Sequence, residues 1–474
     1  MAWGAPGSGA GVEDWVRRLL DDDPSLTSIT VFRTRKFGHE EVKDLCSALE
    51  NNTTLNDFTA TSHSLSVEDA EQFAGVLRSN KTLQSLSLGN SSFGNEALSA
   101  LSGGLPGNTG LQKLDLHSKG VGAPGVQALQ QAIAAGSGLD HLTLSGNSLG
   151  DEGAAAVAPA IPFIREVDLH DCEIGASGAR SLAAALENAR DAVESESSGG
   201  LTAEGEANGS TPVLARRIRL QVLRLNGNPL GFSGTSALKP LLSQLKELHL
   251  GRAGLGDEGA ASLAAAMPSS SPLELLDLSD NDIGPSGAAA LADALERGLL
   301  LKALRMRGNR IGDEGAAALG RALAKGPLLQ ELDVGGNQMG PGAADLLGSA
   351  HKLRKLSLFD SHLGDEGACT VADRLSAASF VQLMELELSA CRIGTVGMVR
   401  LFDVLESQAA PALEMLVIGG GNPALEEDGF QGRVEALRAA RPELDVAWRA
   451  GDSSSVQQLG GAPVVDLDAE LHDV

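Results

Sequence analysis

The sequence predicts an α/β solenoid, a stack of repeats in which short parallel strands alternate with helices. The first observation is a recurring frame, clearest in the segment LKALRMRGNRIGDEGAAALGRAL at 301–323. The second is its period, because copies of this frame begin mostly 28 residues apart. The third is that a single copy has an apolar side that it cannot bury alone, so the copies must pack against one another.

Each copy predicts a short strand, a turn and a helix. In the segment quoted above, Leu304 and Met306 have the two-residue spacing of a strand with one buried face. Asn309 lies where the chain turns out of the strand, and its amide can bond backbone groups of its own and the next repeat. We expect Asp313 to cap the following helix, which ends near Leu323.

Fourteen copies of the frame predict about fourteen repeats. Each copy begins with a leucine or isoleucine, and these residues are Leu26, Leu55, Leu83, Leu111, Leu139, Ile164, Leu220, Leu245, Leu273, Leu301, Leu329, Leu353, Leu383 and Leu413. The step from Ile164 to Leu220 is 56 residues, which is two normal steps with only one strand. This long step indicates an insertion.

We expect three parts along the chain. We expect residues 1–25 to form a disordered start followed by a capping helix, Val12–Leu20. We expect residues 26–450 to form the repeat array. Inside the array, an insertion at about 190–213 is rich in Ser, Gly and Glu and poor in apolar residues, so we expect it to be acidic and disordered. We expect the same of the acidic tail at 451–474.

Both ends of the array need a cover for their exposed apolar edge. At the start, we expect the capping helix to place four apolar side chains over the first repeat, namely Trp15, Val16, Leu19 and Leu20. At the other end, we expect a helix over about 428–440 and the side chain of Trp448 to close the last repeat.

The frame LxxLxLxxNxIG, followed by DEGAxxLxxAL, resembles the leucine-rich repeats of the ribonuclease-inhibitor-like subfamily. Similar repeats occur in ribonuclease inhibitor, Ran GTPase-activating protein, tropomodulin and the sensor arrays of NOD-like receptors. The resemblance implies a curved horseshoe with parallel strands on the concave face and helices on the convex face. Curvature is expected because strands pack about 4.8 Å apart whereas helices need about 8–10 Å. Proteins with this architecture differ widely in activity, so the resemblance predicts shape more than function.

Cysteine usage indicates a reducing compartment. The four cysteines lie in different repeats, and neither end has the cysteine-rich cap of extracellular arrays; they are Cys46, Cys172, Cys369 and Cys391. We therefore expect buried, reduced thiols and a cytoplasmic protein, with nuclear and ciliary locations as alternatives. The first fifteen residues lack the apolar run of a signal peptide, and no stretch approaches 18 apolar residues, so we expect no membrane span. The glycosylation sequons would then be incidental, at Asn52, Asn80 and Asn208.

The formal net charge of -25 argues against nucleic acid as a partner, because phosphate binding needs clustered Lys and Arg. Such acidity favours solubility and a partner whose surface is basic or of mixed charge. We expect a monomer that binds a protein.

The concave face is the predicted recognition surface, because positions 3, 5 and 7 of each repeat point away from the core. Position 5 carries alternating charge in the middle of the array, with further arginines close by. The candidate partner-binding residues are Arg224, His249, Arg252, Asp277, Arg305, Arg307 and Asp333. Arginine is a preferred anchor at interfaces. The alternative is a solvated stripe whose charges neutralise one another.

The favoured function is therefore a non-enzymatic intracellular scaffold that binds a protein partner through its concave face. One alternative is a GTPase-activating or GTPase-regulating protein resembling Ran GTPase-activating protein. For that alternative, the basic cluster of Arg33, Arg35 and Lys36 lies in a loop suited to an edge contact. A further alternative is a ciliary or cytoskeletal, actin-associated scaffold.

Enzyme signatures are missing from the sequence. There is no GxxxxGK[ST] phosphate loop, no His-Glu-x-x-His and no paired Cys-x-x-Cys. Aligning the repeats places Ser145 between His117 and His170, with Asp115 and Asp168 two residues before the histidines. Ser, His and Asp suggest acyl transfer, but an open sheet face leaves no oxyanion donors. The two histidines would lie about 10 Å apart, too far to share a metal ion. We expect no catalytic residue, no metal and no cofactor.

Overall fold

A computed structural model describes residues 11–198, 218–349, 352–377, 382–427 and 429–448. The chain divides into two compact units, Met1–Asn281 and Asp282–Val474. The expected disordered start at 1–10, most of the predicted insertion and the tail from 449 onward lie outside the described residues.

In the first unit, the described residues form nine short strands, which make a parallel sheet in chain order. The strands are β1 Ser28–Thr30, β2 Asp57–Ala60, β3 Ser85–Leu88, β4 Lys113–Asp115, β5 His141–Thr143, β6 Glu166–Asp168, β7 Val222–Arg224, β8 Glu247–His249 and β9 Leu275–Asp277. Each strand covers positions 3 to 5 of a predicted repeat, so the period found in the sequence sets the register directly.

Helices connect these strands. The α-helices are α1 Val12–Leu20, α2 His39–Leu49, α3 Val67–Ser79, α4 Gly94–Ser102, α5 Ala123–Ala134, α6 Gly150–Val157, α7 Ala176–Ser198, α8 Gly231–Ala237 and α9 Gly256–Ala266. Two 3₁₀ helices, Ala158–Phe163 and Lys239–Ser243, follow α6 and α8. Both contain a proline, which cannot continue an α-helix without losing a hydrogen bond.

The second unit has the same construction. Its strands form a parallel sheet in chain order and are β10 Ala303–Arg305, β11 Glu331–Asp333, β12 Lys355–Ser357, β13 Glu385–Glu387, β14 Met415–Val417 and β15 Asp445–Ala447. Its α-helices are α10 Pro285–Glu296, α11 Gly312–Ala324, α12 Gly364–Ser376, α13 Thr395–Glu406 and α14 Phe430–Ala440. Its 3₁₀ helices are Pro341–Ser349 and Pro423–Glu426.

All fourteen predicted repeats contain a strand, and the predicted α/β repeat fold is confirmed. The fifteenth strand, β15, was not predicted. It pairs in parallel with β14, and the position equivalent to the first leucine is the charged residue Glu443. That substitution hid the last repeat from a search based on leucine periodicity.

The core of each unit is made of aliphatic side chains stacked from repeat to repeat. In the repeat that begins at Leu301, Leu304 is 1% exposed and Met306 is fully buried. Ala316 and Leu319 of α11 are each 1% exposed and share the same interior. Burial at alternate strand positions and on one helix face is what the sequence pattern requires.

A ladder of buried amides holds neighbouring repeats together, at position 9 where the chain leaves the strand. Asn147 shows the pattern: its Nδ2 donates to the carbonyls of Leu116 at 2.8 Å and Leu144 at 2.7 Å. Its Oδ1 accepts from the backbone N–H of Lys119 at 2.9 Å and Val121 at 3.1 Å. The bonds therefore reach the preceding repeat, and our expectation that they would reach the next one was wrong. Equivalent bonds are made by Asn228, Asn281, Asn309 and Asn337.

Other residues at position 9 replace parts of this pattern. Lys119 is 3% exposed and its Nζ donates to the carbonyl of Gly89 at 2.6 Å, and burial lowers its pKa. The thiols of Cys172 and Cys391 donate to the carbonyls of Leu144 at 3.2 Å and Leu358 at 3.0 Å. Both thiols are free, and burial raises the pKa of each to about 12, so neither carries a reactive thiolate.

A second amide ladder lies at the helix-to-strand turns of the first repeats. Asn52 Nδ2 donates to the carbonyl of Leu19 at 3.0 Å, and Asn80 Nδ2 donates to the carbonyl of Leu49 at 2.6 Å. Both asparagines are 3% exposed. These sequons are therefore structural amides and are inaccessible to a glycan.

The aspartate after the turn stabilises the next repeat's helix, not its own. The N-cap of α11 is Ile311, which makes no side-chain capping bond, so the expectation that Asp313 caps α11 was wrong. Asp313 Oδ1 instead accepts from the backbone N–H of Gly340 at 2.8 Å. Asp151 likewise accepts from Gly175 and Gly178, both at 2.7 Å, at the start of α7. These carboxylates satisfy N–H groups that a helix start leaves unpaired.

The capping helix α1 has the predicted bounds but buries only part of its apolar surface. Leu19 is 1% exposed, whereas Leu20 is 68% exposed, and Trp15 and Val16 are half-buried. The expectation that Leu20 covers the first repeat was therefore wrong. Because α1 is a regular helix, adjacent residues such as Leu19 and Leu20 point about 100° apart and cannot both face the repeat.

Helix α7 continues to Ser198, so the first part of the predicted insertion at 190–213 is helical and not disordered. Arg190 accounts for part of this extension. Its guanidinium donates to the carbonyl of Pro240 at 3.1 Å and to Ser243 Oγ at 2.9 Å in the following repeat. The expected disorder from 199 to 213 lies outside the described residues.

A buried arginine closes the last helix-to-strand turn of the second unit. Arg441 is fully buried and donates to the carbonyls of Ala409 at 3.1 Å and Leu405 at 3.3 Å, and it also pairs with Glu443. Trp448, expected to close this end, is half-buried and lines a cavity of about 430 Å³. The guanidinium of Arg441 has five N–H donors in one plane, so it can bond several backbone carbonyls of one turn at once.

The amide ladder gives a direct stability prediction. Asn147→Ala should lose three donor and two acceptor bonds, and each buried group left unpaired costs about 1–3 kcal/mol. Hydrogen–deuterium exchange should show the amides of Lys119 and Val121 losing protection first, because they donate to Asn147 Oδ1.

Ser361→Ala is the matched control at the same repeat position. Ser361 Oγ is buried without a hydrogen-bond partner among the residues with described side chains, so its removal should leave stability unchanged or raise it slightly. An equal loss of stability in the two variants would contradict the role assigned to the amide.

Candidate functional site

The open face of the sheet, defined as the side chains at positions 3, 5 and 7 of the strands, carries most of the predicted site residues. These side chains are mostly half-exposed, in contrast to the buried positions 4 and 6. The resemblance noted above predicts this face to be concave. In each unit, adjacent strands pair position for position. Side chains at the same position of neighbouring repeats therefore lie side by side on the open face.

In the first unit, a charge network spans β5, β6 and β7. Arg224 pairs with Glu166, and His141 Nδ1 lies 2.9 Å from the other oxygen of the same carboxylate. Arg165 donates to His141 Nε2 at 2.6 Å. Burial alone would raise the pKa of Glu166, but Arg224 and His141 outweigh it and lower that pKa. Arg224 is thus an ion-pair partner on this face.

The next strands form a second cluster around His249. Its Nδ1 lies 3.6 Å from Asp277 Oδ2 and its Nε2 lies 3.5 Å from Glu247 Oε2. Burial alone would lower the pKa of His249, and Arg224 adds to that effect, but the two carboxylates outweigh them and raise it. Asp277 also accepts from Ser279 N at 3.0 Å and Ser279 Oγ at 2.7 Å. Although burial acts in the opposite direction, these bonds and His249 lower the pKa of Asp277.

Arg252 lies at the turn beside this cluster. Its backbone has a φ of 52°, a left-handed conformation that non-glycine residues rarely adopt. The guanidinium is 55% exposed and lies 3.4 Å from Asp171, whose other contact is His170 Nε2 at 2.6 Å. The first unit therefore brings Arg252 towards Asp171, a residue that the sequence analysis did not single out.

The second unit places its three candidate residues on its own open face. Arg305 Nε donates to Glu331 Oε1 at 2.8 Å across β10 and β11. The Arg307 guanidinium lies 4.1 Å from the centre of the Phe359 ring, which is a cation–π contact. Asp333 is 7% exposed, and burial raises its pKa although Gly335 N donates to it at 3.0 Å.

Two of the three basic residues of the edge cluster, which is formed by Arg33, Arg35 and Lys36, already contact other side chains of the chain. The Arg35 guanidinium lies 4.7 Å from the Trp15 ring, and Lys36 Nζ pairs with Glu41 at 2.8 Å. Arg33 is exposed and lies beside Phe32, which is 67% exposed. Phe32, Arg33 and the paired Lys36, whose side chain is 87% exposed, therefore face solvent at this edge.

The Ser–His–Asp arrangement suggested by the aligned repeats forms only in part. His117 Nδ1 lies 3.0 Å from Ser145 Oγ. Asp115 does not reach the imidazole; it accepts from the backbone N–H of His117 at 2.9 Å and contacts Ser87 Oγ at 3.2 Å. The N–H of Gly146 is bound to the carbonyl of His170 at 2.8 Å, so it cannot serve as an oxyanion donor. Among the described residues, Ser145 thus has a base in His117, whereas Asp115 does not orient that base and the N–H of Gly146 is not available to an oxyanion.

Within the described part of the chain, no three His, Cys, Asp or Glu side chains are grouped so that they could hold a metal ion. No helix there is long and apolar enough to cross a membrane.

Comparison with known proteins identifies the repeats. Seven segments match the family model described as Leucine Rich repeat: residues 79–102, 139–158, 160–183, 243–264, 269–292, 300–320 and 349–372. These seven segments are similar to leucine-rich repeats. Each matched segment overlaps helices or strands that follow the repeat frame, in both units.

Three solved structures illustrate how far the similarity extends. TLR13 in complex with ssRNA13 is 17% identical with a TM-score of 0.43, covering 79% of this chain and 51% of that one. This chain therefore spans about half the length of the TLR13 chain. An internalin, inlF, from Listeria monocytogenes is 16% identical with a TM-score of 0.39, over 82% of this chain and 91% of that one. Leiomodin-1 Actin-Binding Site 2 is 22% identical with a TM-score of 0.27, over 31% of this chain and 87% of that one.

No curated protein sequence matches the chain. Structural similarities with these low sequence identities and TM-scores indicate neither the function of this chain nor its partner. The leucine-rich repeats establish how the open face is built, and its use must be argued from the side chains on it.

The His249 cluster predicts a pH dependence. The pKa of His249 in the folded protein is raised above its usual value of about 6.5, so its contribution to stability is complete below that pH. The contribution should be lost as pH rises through the folded pKa. His249→Gln should therefore flatten the decline of melting temperature over the range from about pH 6.5 upward.

An NMR titration of the His249 ring protons provides the check. A midpoint above about 6.5 would support the two-carboxylate environment. A midpoint below that value would mean that burial and Arg224 outweigh Glu247 and Asp277.

Proposed function

We propose that the open face of the leucine-rich repeats binds a protein partner whose surface carries both positive and negative groups. The observation that carries this proposal is the network of Arg224, Glu166 and His141 in the first unit. Although they pair with one another, their side chains remain 30%, 29% and 31% exposed. Charges that are paired yet half-exposed can still meet a partner.

Pre-organisation supports the same proposal. Binding usually requires side chains to be immobilised, which costs about 0.5–1.5 kcal/mol for each long side chain. Arg224 and Arg305 are already held by Glu166 and Glu331 across the strands, so most of that cost is met on folding. The ion pairs of Arg224 and Arg305 are what one expects of a solvated stripe whose charges neutralise one another. They are equally compatible with a docking surface of mixed charge.

The charge of the face favours protein over nucleic acid. In the first unit, Arg224 and Arg252 lie among carboxylates, and in the second unit Arg305 and Arg307 lie near Glu331 and Asp333. A phosphate backbone needs a continuous basic surface. With free cysteines buried at Cys46, Cys172 and Cys391, we place this binding activity in the cytoplasm.

The test compares a double arginine variant with a single arginine variant as its control. Arg224→Gln with Arg252→Gln removes one positive charge from the open face of the first unit and one from the turn beside it, while keeping a polar side chain at both positions. We expect partner capture from native extract to fall about tenfold or more, because arginines are frequent hot spots. Glutamine is preferable to glutamate, since a glutamate at 224 would face Glu166 and destabilise the sheet.

Arg180→Gln provides the control, because Arg180 is exposed on α7 and away from the open face. It should leave capture of the same protein unchanged. Equal recovery by the double variant and the wild type, at matched salt and concentration, would remove the first unit's open face from the proposal.

GTPase regulation remains the second candidate function, favoured by the exposed Phe32 and Arg33 at the edge. The captured partner distinguishes it from a scaffold. A small GTPase whose hydrolysis of GTP is accelerated by the wild type and not by Arg33→Ala would support regulation. An actin-associated partner without such acceleration would support the cytoskeletal alternative.

A further inference from the structure

The outer side of the capping helix α1 forms a groove with α2 that the open-face proposal does not use. The cavity has a volume of about 510 Å³. It is lined by Val12, Glu13, Val16, Arg17, Leu20, Asp21, Glu40, Glu41 and Asp44. Its residues come from two helices of the first unit only.

An apolar stripe forms one side of this groove. Val12, Val16 and Leu20 are spaced four residues apart, so they lie along one side of α1. Val12 is 8% exposed, Val16 is half-buried and Leu20 is 68% exposed. The stripe therefore runs from the interior out to solvent, which leaves apolar surface that a partner could cover.

The rim of the groove is strongly acidic. Glu13 and Asp21 on the α1 side, and Glu40, Glu41 and Asp44 on α2, supply five carboxylates against the single guanidinium of Arg17. Arg17 itself pairs with Asp14 and lies 3.8 Å from Asp21. Glu41 pairs with Lys36 at 2.8 Å, which leaves the other carboxylates of the rim as the dominant charge.

We propose that this groove binds a basic amphipathic helix of a partner protein. The apolar side of that helix would pack on Val16 and Leu20, and its lysines or arginines would meet the carboxylates of the rim. This is the helix-in-groove mode of recognition, in which anchors at three- and four-residue spacing enter an apolar groove. The nine-residue α1 is about 13 Å long, which matches two to three turns of a bound helix.

The charge of the rim decides between possible occupants. Nucleic acid and anionic membrane surfaces would be repelled by the carboxylates, as would an acidic peptide. A neutral apolar peptide would offer the carboxylates of the rim no positively charged partner. A basic helix satisfies both the apolar stripe and the acidic rim.

The experiment uses the full chain and a fluorescent synthetic helix of about fifteen residues, with leucines at three- and four-residue spacing and lysines on its other side. Fluorescence anisotropy measures its affinity. Two control peptides have the same composition in scrambled order, or glutamate in place of lysine. We expect the wild type to bind the basic helix and to bind neither control with comparable affinity.

Matched protein variants locate the site. Leu20→Ser should weaken binding about tenfold, because a leucine side chain loses its apolar contact. Val396→Ser is the control, because Val396 is also 68% exposed but lies on α13 in the second unit. Glu40→Lys with Asp44→Lys should weaken binding by a similar factor and reduce its salt dependence.

Three outcomes would overturn the proposal. The first is equal affinity for wild type and Leu20→Ser, with unchanged circular dichroism. The second is equal affinity for the ordered and scrambled peptides, which would indicate charge attraction alone. The third is binding only after removal of residues 1–10, which would mean that the chain's own start occupies the groove. None of these results depends on the open face.

Discussion

The hydrogen bonds from the ninth-position amides to the preceding repeat are the interaction on which the rest of the structure depends. Each strand is only three or four residues long, so its ladder bonds alone fix few backbone groups. Asn147 and Asn228 each satisfy carbonyls and N–H groups at the point where the chain leaves the strand. Without these amides, buried peptide groups in the turns that contain them would remain unpaired. The aspartates at the helix starts act in the other direction, since Asp151 and Asp313 reach forward to the following repeat. Together, these contacts couple each repeat to both of its neighbours.

This coupling separates the residues that hold the fold from those available for recognition. Positions 4, 6 and 9 are buried and committed to the array, whereas positions 3, 5 and 7 remain on the open face. The charges on that face are not free, because Arg224 and Arg305 pair with carboxylates on the adjacent strand. A partner would therefore meet an ordered pattern of paired charges and would have to compete for them. Such surfaces give specificity more readily than raw affinity, since desolvation offsets much of the attraction.

The sequence predicted the strands well because a strand's register follows from the spacing of its leucines. It failed where the frame lost its leucine, as at β15 with Glu443, although the backbone still pairs there. It also failed where one residue type can serve two purposes. Asp313 reads as a cap for its own helix yet bonds Gly340 of the next repeat. The sequons at Asn52 and Asn80, by contrast, were expected to be incidental, and both asparagines are buried structural amides. The pairing of Arg224 with Glu166, and the burial of Arg441 among carbonyls, depend on side-chain conformation across repeats. No spacing rule within one repeat contains that information.

Hydrogen–deuterium exchange with and without the captured partner tests the central claim most directly. The strand amides are already bonded within the sheet, so the informative signals are the turns that follow β6, β7, β8 and β9. If the open face of the first unit is the docking surface, protection should increase in these turns, around Asp171 and Arg252, and remain unchanged on the helices. Protection confined to the helices, with unchanged exchange at these turns, would contradict the assignment of recognition to the open face.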